Sequence, residues 1–348
     1  MTGSPPPRAH PPRPIDLVAL VAFDDAVCEN QAVTRERLAR PAAAPHALGA
    51  AIEQWLVRRR HMWIDVRDRQ INGIATARTL SADDAWVIDT LVDASETLDR
   101  AHSSAGGNGA VIDALLEQAL QAATQNGVTR VLLRVPADAA VLLHALRSGF
   151  QPALRERLWS GDGLRAGDCA PGRDRSPAGE RSPEGIEVRD AGDGDGFELF
   201  QLYNRALPID ARQAMALTFV EWEGIQERRW LGRNAREWVA EQDGRLSASL
   251  RLSLAGDFAQ FDLIASGGAN NGGGTAAAVA LLDVAAAQIE GRPRVLTLAP
   301  RLAGPVEGLL AARGLAPGNE YALLSRRTAK PLPERARLNP EVVVSRGV

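Results

Sequence analysis

The sequence predicts an α/β protein of the α+β type, built from two tandem modules that each contain a mixed, mostly antiparallel sheet flanked by helices. Two observations lead to this prediction. The segment 160–185 is rich in glycine, proline, serine and charge and has too few large apolar residues to order itself, so it divides the 348 residues into two blocks. Each block then repeats the same order of strand-like and helix-like patterns.

The composition changes along the chain predict its organisation. The blocks at 15–159 and 186–329 are the two modules, and 160–185 is a flexible linker between them. Prolines recur in 1–14 and in 330–348 and interrupt any regular structure there, so both ends are predicted to be disordered tails.

Strand patterns open the core of each block. The runs WIDVRDRQI at 63–71 and WVAEQDGRL at 238–246 alternate between apolar and polar residues, reach a polar turn and resume, which predicts a hairpin in each block. The runs AWVIDTLV at 85–92 and FAQFDLIA at 258–265 follow as further strands. Each leads directly into a loop of small residues.

The second part of each block carries the closest internal match. Alanine-rich helices are predicted at 111–123 and 276–289, where apolar residues recur with helical spacing. They are followed by RVLLRVP at 130–136 and RVLTLAP at 294–300, which are identical at four of the seven positions. These runs are too apolar for anything but buried strands. Their identity indicates a duplication.

Additional helices complete the repeated unit. Amphipathic helices are predicted ahead of the hairpins at 48–56 and 199–206. A last helix in each block ends at a glycine, Gly149 or Gly314, which supplies a left-handed C-cap, and a final strand closes the block. The order is helix, antiparallel strands, glycine loop, helix, strand, helix, strand.

Composition bounds the function. The formal net charge of -3 gives no broad attraction to nucleic acid or to an anionic membrane surface, so neither is expected as a partner. Cys28 and Cys169, the only cysteines, are too few for a disulfide framework or a thiolate metal site, so no metal is expected. The sequence has no signal-peptide pattern and no apolar run near the ~18 residues that cross a bilayer. A cytoplasmic setting is expected.

This order of elements, with a glycine-rich turn between the fourth strand and the next helix, resembles the GCN5-related N-acetyltransferase family. The resemblance covers nearly all of both blocks and implies two tandem modules of that fold, with acetyl-CoA as cosubstrate. In that family, backbone amides of the glycine loop hold the pyrophosphate of the cofactor. Glycine lets the main chain approach phosphate, and the helix N-terminus presents free N–H groups. The residues implied to bind the cofactor are Ser104, Gly106, Gly107, Asn108, Gly109, Gly273, Gly274 and Ala276.

Both loops depart from the family pattern at its first position. The family has Arg or Gln there, whereas this chain has Ser104 in the first loop and Asn271 in the second. The second loop also matches the spacing of a dinucleotide-binding fingerprint, with Gly272, Gly274 and Ala277. That fold expects the loop after the first strand of a parallel unit, and here antiparallel hairpins come first. A plain glycine turn joining strand to helix is the remaining interpretation.

Transfer of an acetyl group to an amine requires a base that removes the ammonium proton. The resemblance implies a carboxylate on a central strand. Asp89 and Asp262 occupy such positions, in the strands that lead into the two loops. The alternative is that both aspartates lie on the solvated face of an alternating strand.

The resemblance also implies a tyrosine as general acid, four residues before the glycine of the last helix. This chain has Ala145 and Leu310 there. Tyr203 and Tyr321, the only tyrosines, are interpreted as packing residues. His102 and His144 are interpreted as ordinary exposed or capping histidines. The run FVEWEGIQERRWLGR at 219–233 is predicted to be an amphipathic helix with buried tryptophans, or alternatively a lid over the acceptor site or a domain interface.

Together these features predict an N-acetyltransferase that moves an acetyl group from acetyl-CoA to an amine of a small molecule or peptide, with the first module as the preferred cofactor site. A catalytically degenerate protein of the same fold, which binds CoA, a metabolite or a protein partner, is the main alternative. A purely structural second module is the third. Tandem modules can bury surface against each other, so either a monomer or a homodimer is expected.

Overall fold

The structure of the chain is a computed structural model. It describes the residues 9–24, 29–38, 47–56, 59–67, 70–95, 109–166, 185–232, 234–266, 272–292, 294–301 and 306–329. Within these ranges it contains twelve strands and nine α-helices. The linker and the C-terminal tail predicted from the sequence lie mostly or wholly outside the described residues.

The strands and helices alternate in the predicted order in both halves of the chain. The strands are β1 (Ala9–His10), β2 (Arg60–Arg67), β3 (Gln70–Thr79), β4 (Ala85–Asp93), β5 (Arg130–Pro136), β6 (Gln151–Gly161), β7 (Ile186–Asp190), β8 (Arg236–Gln242), β9 (Arg245–Ala255), β10 (Phe258–Ala265), β11 (Arg294–Pro300) and β12 (Ala316–Arg327). The α-helices are α1 (Leu17–Asp24), α2 (Ala47–Leu56), α3 (Ala110–Gln125), α4 (Val141–Arg147), α5 (Gly196–Ala206), α6 (Ile209–Met215), α7 (Phe219–Gly224), α8 (Gly272–Ile289) and α9 (Val306–Ala312).

All twelve strands belong to one sheet. Its order is β1-β2-β3-β4-β5-β12-β6-β11-β10-β9-β8-β7. The pairs β4–β5 and β10–β11 are parallel, and all the other neighbours are antiparallel. Each half therefore contributes a mixed, mostly antiparallel set of strands flanked by helices. This confirms the predicted fold class.

The last strand of each half is exchanged with the other half. β12 of the second half lies between β5 and β6, and β6 of the first half lies between β12 and β11. The sheet order reads the same from both ends, so the repeat seen in the sequence relates the two halves across the β6–β12 pair. The halves are continuous through four central strands, rather than two separate sheets.

The structure corrects two details of the predicted organisation. Part of the segment predicted to be a disordered tail forms β1, because Ala9 and His10 pair with Asp65 and Ile64 of β2. Ala9 is fully buried in the core of the first half. The strand expected to close the first block, β6, instead borders β11 of the second. The division into two modules stays a proposal, in which the last strand of each module lies among the strands of the other module.

Helices cover both faces of this sheet. α3 buries six side chains in the main core of the first half, and α8 does the same in the second. On the first half, α1 and α2 enclose a smaller core with β2 and β3. On the second, Met215 of α6 and Ile225, just after α7, pack against Val87 and Leu132 of the first half. Apolar burial of this kind holds the two halves together at the centre.

The glycine caps and the second hairpin turn that the sequence predicts are present in the described residues. Gly149 and Gly314 have positive φ angles of 83° and 87° directly after α4 and α9, as expected for left-handed caps. Asp243 lies at the hairpin turn between β8 and β9 with φ of 53°. The run 219–233 is less helical than predicted, since α7 ends at Gly224, although Trp222 and Trp230 are both buried as expected.

Candidate functional site

The predicted first cofactor loop lies mostly outside the described residues, which include none of Ser104, Gly106, Gly107 or Asn108. Gly109 is described and starts α3 with a φ of 92°. A Cβ atom at Gly109 would overlap the imidazole of His144, and His144 Nδ1 lies 2.8 Å from Asp113 Oδ1 in the first turn of α3. His144 therefore lies over the start of this helix and is not exposed, which leaves the capping alternative of its interpretation.

Gly109→Ala is expected to destabilise the chain by about 2 kcal/mol, compared with about 1 kcal/mol for Gly127→Ala. Both glycines have positive φ, but a Cβ at Gly127 meets no atom within 4 Å, whereas one at Gly109 displaces His144 from Asp113. Urea unfolding of the two variants measures the difference. Equal losses of unfolding free energy in the two variants would show that moving His144 away from Asp113 costs no stability.

The predicted second loop leads into α8. Gly273, Gly274 and Ala276 lie in the first turn and a half of that helix. A Cβ at Gly274 would overlap the backbone oxygen of Ser266, so glycine is required there by a close approach of main chain to main chain. Ala276 packs against the core of the second half. The roles of these residues toward a cofactor stay a prediction.

Asp89, the first predicted base, is buried with only 2% of its surface exposed. It lies at a bulge, because Thr76 pairs with Thr90 and Ala77 with Ile88, which leaves Asp89 as the extra residue of β4. Its carboxylate accepts a hydrogen bond from Thr76 Oγ1 at 2.5 Å and forms an ion pair with Arg60 at 3.0 Å. It does not lie on a solvated face, and both of its oxygens are engaged.

The parallel strands diverge towards their C-terminal ends in both halves. The pairing of β4 with β5 ends at Ile88 and Leu133, so 89–93 and 134–136 border a first gap. The pairing of β10 with β11 ends at Phe261 and Thr297, so 262–265 and 298–300 border a second gap. Diverging strands leave backbone N–H and C=O groups that need other partners. Such gaps accept an extended chain that carries amide groups.

The first gap is filled by the chain itself. The backbone N–H of Gln31 donates to the carbonyl of Leu91 at 2.9 Å, and that of Val33 donates to the carbonyl of Arg134 at 2.8 Å. Residues 31–33 thus join β4 to β5 beyond the point at which the two strands separate. The preference for the first module as the cofactor site, which rested on its glycine loop, stays a prediction, and this filling of the first gap weighs against it.

A cavity with a volume of about 90 Å³ adjoins the second gap, where Asp262 and Leu263 of β10 and Pro300 of β11 all line it. We call it the central cleft, because residues of both halves form its walls. Its polar lining includes Arg35, Arg134, Glu156, Tyr203, Glu227 and Asp262. Its apolar lining includes Leu132, Leu154, Met215, Ile225, Leu263 and Leu323. α5 and α6 cover it, and the central strands form its floor.

Five charged side chains form one network in the central cleft. Arg35 lies 3.0 Å from Glu156 and 3.1 Å from Asp262. Arg134 lies 2.6 Å from Glu156 and 2.7 Å from Glu227. Three carboxylates face two guanidinium groups, and the remaining cation of the cleft, Arg251, is paired with Glu237 outside it at 3.0 Å. The network therefore has one negative charge in excess.

Burial and ion pairing act in opposite directions on these groups. Burial alone would raise the pKa of Glu227, but the guanidinium groups of Arg134 and Arg35 outweigh it and lower this pKa to about 2. Burial alone would lower the pKa of Arg134, and Glu156 and Glu227 outweigh it and raise this pKa. Glu227, Arg134 and Arg35 are thus charged at neutral pH. A buried arrangement of this kind requires every partner.

Tyr203 of α5 places a phenol in the central cleft. Burial raises the pKa of this phenol, the charge of Glu156 raises it further and Arg35 opposes the rise, so the hydroxyl keeps its proton at neutral pH. The ring also lies 6.0 Å from the ring of Trp222. The interpretation of Tyr203 as a packing residue is therefore incomplete. Ala145 and Leu310, at the positions where the resemblance implies a tyrosine, are both fully buried in the cores.

Asp262, the second predicted base, is the one that reaches the cleft. Its side chain is 15% exposed, and Arg35 is its ion-pair partner. The sequence did not single out Arg35, Arg134, Glu156 or Glu227. One signal was present: an arginine at position 134 interrupts the otherwise apolar run RVLLRVP, and a charge within a buried strand requires a partner.

In the part of the chain that the structure describes, no group of three or more His, Cys, Asp or Glu side chains is arranged to hold a metal ion. Among the same residues, no helix has the length and the apolar character needed to cross a bilayer.

In the described residues, the fold is an α/β arrangement around one twelve-stranded sheet, with a cleft lined by residues of both halves. No protein-family model and no curated protein matches the sequence. Among solved structures the chain is similar to a GCN5-related N-acetyltransferase from Sphaerobacter thermophilus, at 16% identity and a TM-score of 0.48, over 93% of this chain and 97% of that one.

Two further structures show the same kind of similarity. A tandem GNAT protein from the clavulanic acid biosynthesis pathway is 15% identical, with a TM-score of 0.46 over 92% of this chain and 94% of that one. A putative acetyltransferase from Pyrococcus horikoshii is 12% identical, with a TM-score of 0.44 over 92% and 89%. At these identities the likeness concerns the fold alone.

Proposed function

We propose that the chain is an acyl-CoA-dependent N-acyltransferase that works in the central cleft of the second half. The observation that carries this proposal is the contrast between the two gaps. The chain's own backbone fills the first, whereas the second adjoins a cavity that contains a carboxylate and a protonated phenol. Acyl-CoA would supply the activated acyl group as cosubstrate, acetyl-CoA being the proposed form.

The residues present fit such a cosubstrate. Its pantetheine arm is an extended chain with two amide groups, which is the kind of ligand that diverging strands accept. The diphosphate would lie at the N-terminus of α8, near Gly273, Gly274 and Ala276, where backbone N–H groups and the helix dipole favour an anion. A volume of about 90 Å³ suits the thioester end and a small acceptor rather than a whole nucleotide.

The charges of the cleft favour a cationic acceptor. Three carboxylates face two guanidinium groups in the cleft, and apolar side chains surround the network, so a primary amine with an apolar body is the proposed acceptor class. Asp262 would take the proton that the amine must lose. Tyr203 would donate a proton to the thiolate that leaves.

Asp262→Asn is expected to lower kcat/KM by about 100-fold or more, because the amide cannot accept the amine proton. The internal repeat provides a matched control, Asp89→Asn, at the equivalent strand position of the first half. Thiol release from acetyl-CoA with a panel of primary amines measures both, normalised to the folded fraction. The control is expected to stay within about threefold of the unaltered chain. If Asp89→Asn lowered kcat/KM more than Asp262→Asn, the reaction would take place in the first half.

A second candidate function is binding of acyl-CoA without catalysis. It is favoured by the pairing of Asp89 with Arg60 and of Asp262 with Arg35, since each carboxylate is already held by a guanidinium group. Calorimetric titration with acetyl-CoA separates the two. Binding together with steady thiol release supports the enzyme, binding alone supports the carrier, and no binding contradicts both.

A further inference from the structure

The segment Asn30–Arg35, which we call the strap and which ends at the first residue of a short 3₁₀ helix, is anchored in the first gap by its first residue. The side-chain oxygen of Asn30 accepts hydrogen bonds from the backbone N–H of Leu91 at 2.8 Å and of Ala32 at 3.0 Å. The side-chain amide of Asn30 donates to the carbonyl of Asp89 at 3.1 Å. One asparagine thus caps the end of β4 and starts the pairing that Gln31 and Val33 continue.

The middle of the strap is part of the protein core. Ala32 and Thr34 are buried, and Ala32 belongs to the main core of the first half. A guanidinium nitrogen of Arg134 donates to the carbonyl of Val33 at 3.4 Å, so the strap also contacts the ionic network of the cleft. Removing the strap would therefore uncover both apolar surface and backbone groups.

The other end of the strap lies in the second half. The backbone N–H of Arg35 donates to Glu227 at 3.1 Å, and the carbonyl of Arg35 accepts from the side chain of Gln260 at 2.9 Å. Its guanidinium then bridges Glu156 and Asp262. Arg35 is the only strap residue that lines the central cleft. The backbone is fixed on both sides of this one side chain.

We propose that the strap is a positioning device, in which pairing within the first gap fixes Arg35 against Asp262 in the cleft of the second half. Arg35 is a positioning residue in this scheme, since it acts through the Asp262 carboxylate. The first half then supplies a structural support for the site rather than a second site, and the chain binds one acyl-CoA. The role of Asp262 in turnover rests on the proposed function, whereas the positioning of Arg35 by the strap does not.

Two physical reasons support this coupling. Three carboxylates within one buried network repel one another, so the orientation of Asp262 depends on the cation beside it. A free arginine side chain loses conformational entropy when it is held in one position, and a backbone that is already fixed reduces that loss. The planar guanidinium contacts two carboxylates at once, which the single ammonium of lysine does less well.

Asn30→Ala, which removes the three hydrogen bonds of the anchor, tests the strap without any assay of activity. Hydrogen exchange at the amides of Gln31 and Val33 is expected to be slow in the unaltered chain and about 10-fold or more faster in the variant, with α8 unchanged. The guanidinium N–H signal of Arg35, assigned by its loss in Arg35→Lys, is expected to broaden. Asn126→Ala, the same change in an exposed asparagine at the end of α3, is the matched control.

Turnover provides the second readout. Asn30→Ala and Arg35→Lys are both expected to lower kcat by about 10-fold, with the KM for acetyl-CoA within about twofold of the original value, because they misplace Asp262 and leave the α8 end untouched. Faster exchange in Asn30→Ala with an unchanged Arg35 signal would overturn the proposal, as would rapid exchange of Gln31 and Val33 in the unaltered chain. Absence of turnover in the unaltered chain would instead overturn the proposed function. Hydrogen exchange at Gln31 and Val33, together with the Arg35 signal, would still test whether the strap positions Arg35.

Discussion

A chain that ends after Leu315, and so lacks β12, is expected to lose cooperative folding in both halves and not only in the half that β12 follows in sequence. β12 lies between β5 and β6, and its removal leaves an unpaired edge on each. Ala322 and Leu324 also belong to the core of the first half. The expected loss is the whole free energy of unfolding, which is about 5 to 15 kcal/mol for a protein domain.

Thermal and urea unfolding followed by circular dichroism measure this effect, with size exclusion to detect aggregation at the exposed edges. A chain that ends after Ala329 keeps every described strand and is the matched control, with stability expected to equal that of the full chain. If the shorter chain retained a cooperative unfolding transition, with slow hydrogen exchange at the amides of β4 and β5, the first half would be an independent domain. The pairing of β12 with β5 and β6 would then contribute little to the stability of the first half.

The elements were predictable because each has a local pattern. The hairpins, the run RVLLRVP and the helix that follows each glycine loop were all predicted from spacing within about ten residues, and the structure confirms them. The exchange of β6 and β12 was not predictable in this way. Each final strand has an apolar pattern that suits either β5 or β11 as its antiparallel neighbour. The choice between them depends on the arrangement of the whole sheet.

The candidate site was harder to predict for a related reason. Asp262 was singled out from its strand, but its partners come from distant parts of the chain: Arg35 precedes the first hairpin, and Glu156 belongs to the exchanged strand. Tyr203 lies on a helix in which the spacing of apolar residues predicts burial. That spacing does not show which groups the Tyr203 hydroxyl faces. The charge of Arg134 within the mostly apolar strand β5 was the available signal for this network.

The exchange of strands also explains why the cleft is built from both halves. β6 carries Glu156 into the centre of the sheet, next to Arg134 of β5 and opposite Glu227, which follows α7. If each half had kept its own last strand, Glu156 would lie in a separate module. The exchange of the last strands thus brings residues of both halves around the central cleft, and the strap pairs with β4 and β5 at the first gap.

Glu227→Gln is expected to destabilise the chain by about 3 kcal/mol at neutral pH, and this loss should shrink in acid. The pKa of Glu227 is lowered from 4.5 to about 2 in the folded chain, so its ionised form contributes stability that is fully present above pH 4.5. This contribution disappears as the pH falls through about 2. At pH 3 the difference between the unaltered chain and the variant is therefore expected to be about 1 to 2 kcal/mol.

Urea unfolding at pH 7 and pH 3 measures both differences. Glu117→Gln, the same change at an exposed position of α3, is the matched control and is expected to change stability by less than about 0.5 kcal/mol. A loss that stays constant between the two pH values would mean that Glu227 contributes through packing and not through its charge. The pairing of Glu227 with Arg134 and the strap would then not hold the cleft together electrostatically, and the remaining carboxylates, Glu156 and Asp262, would have to balance both guanidinium groups.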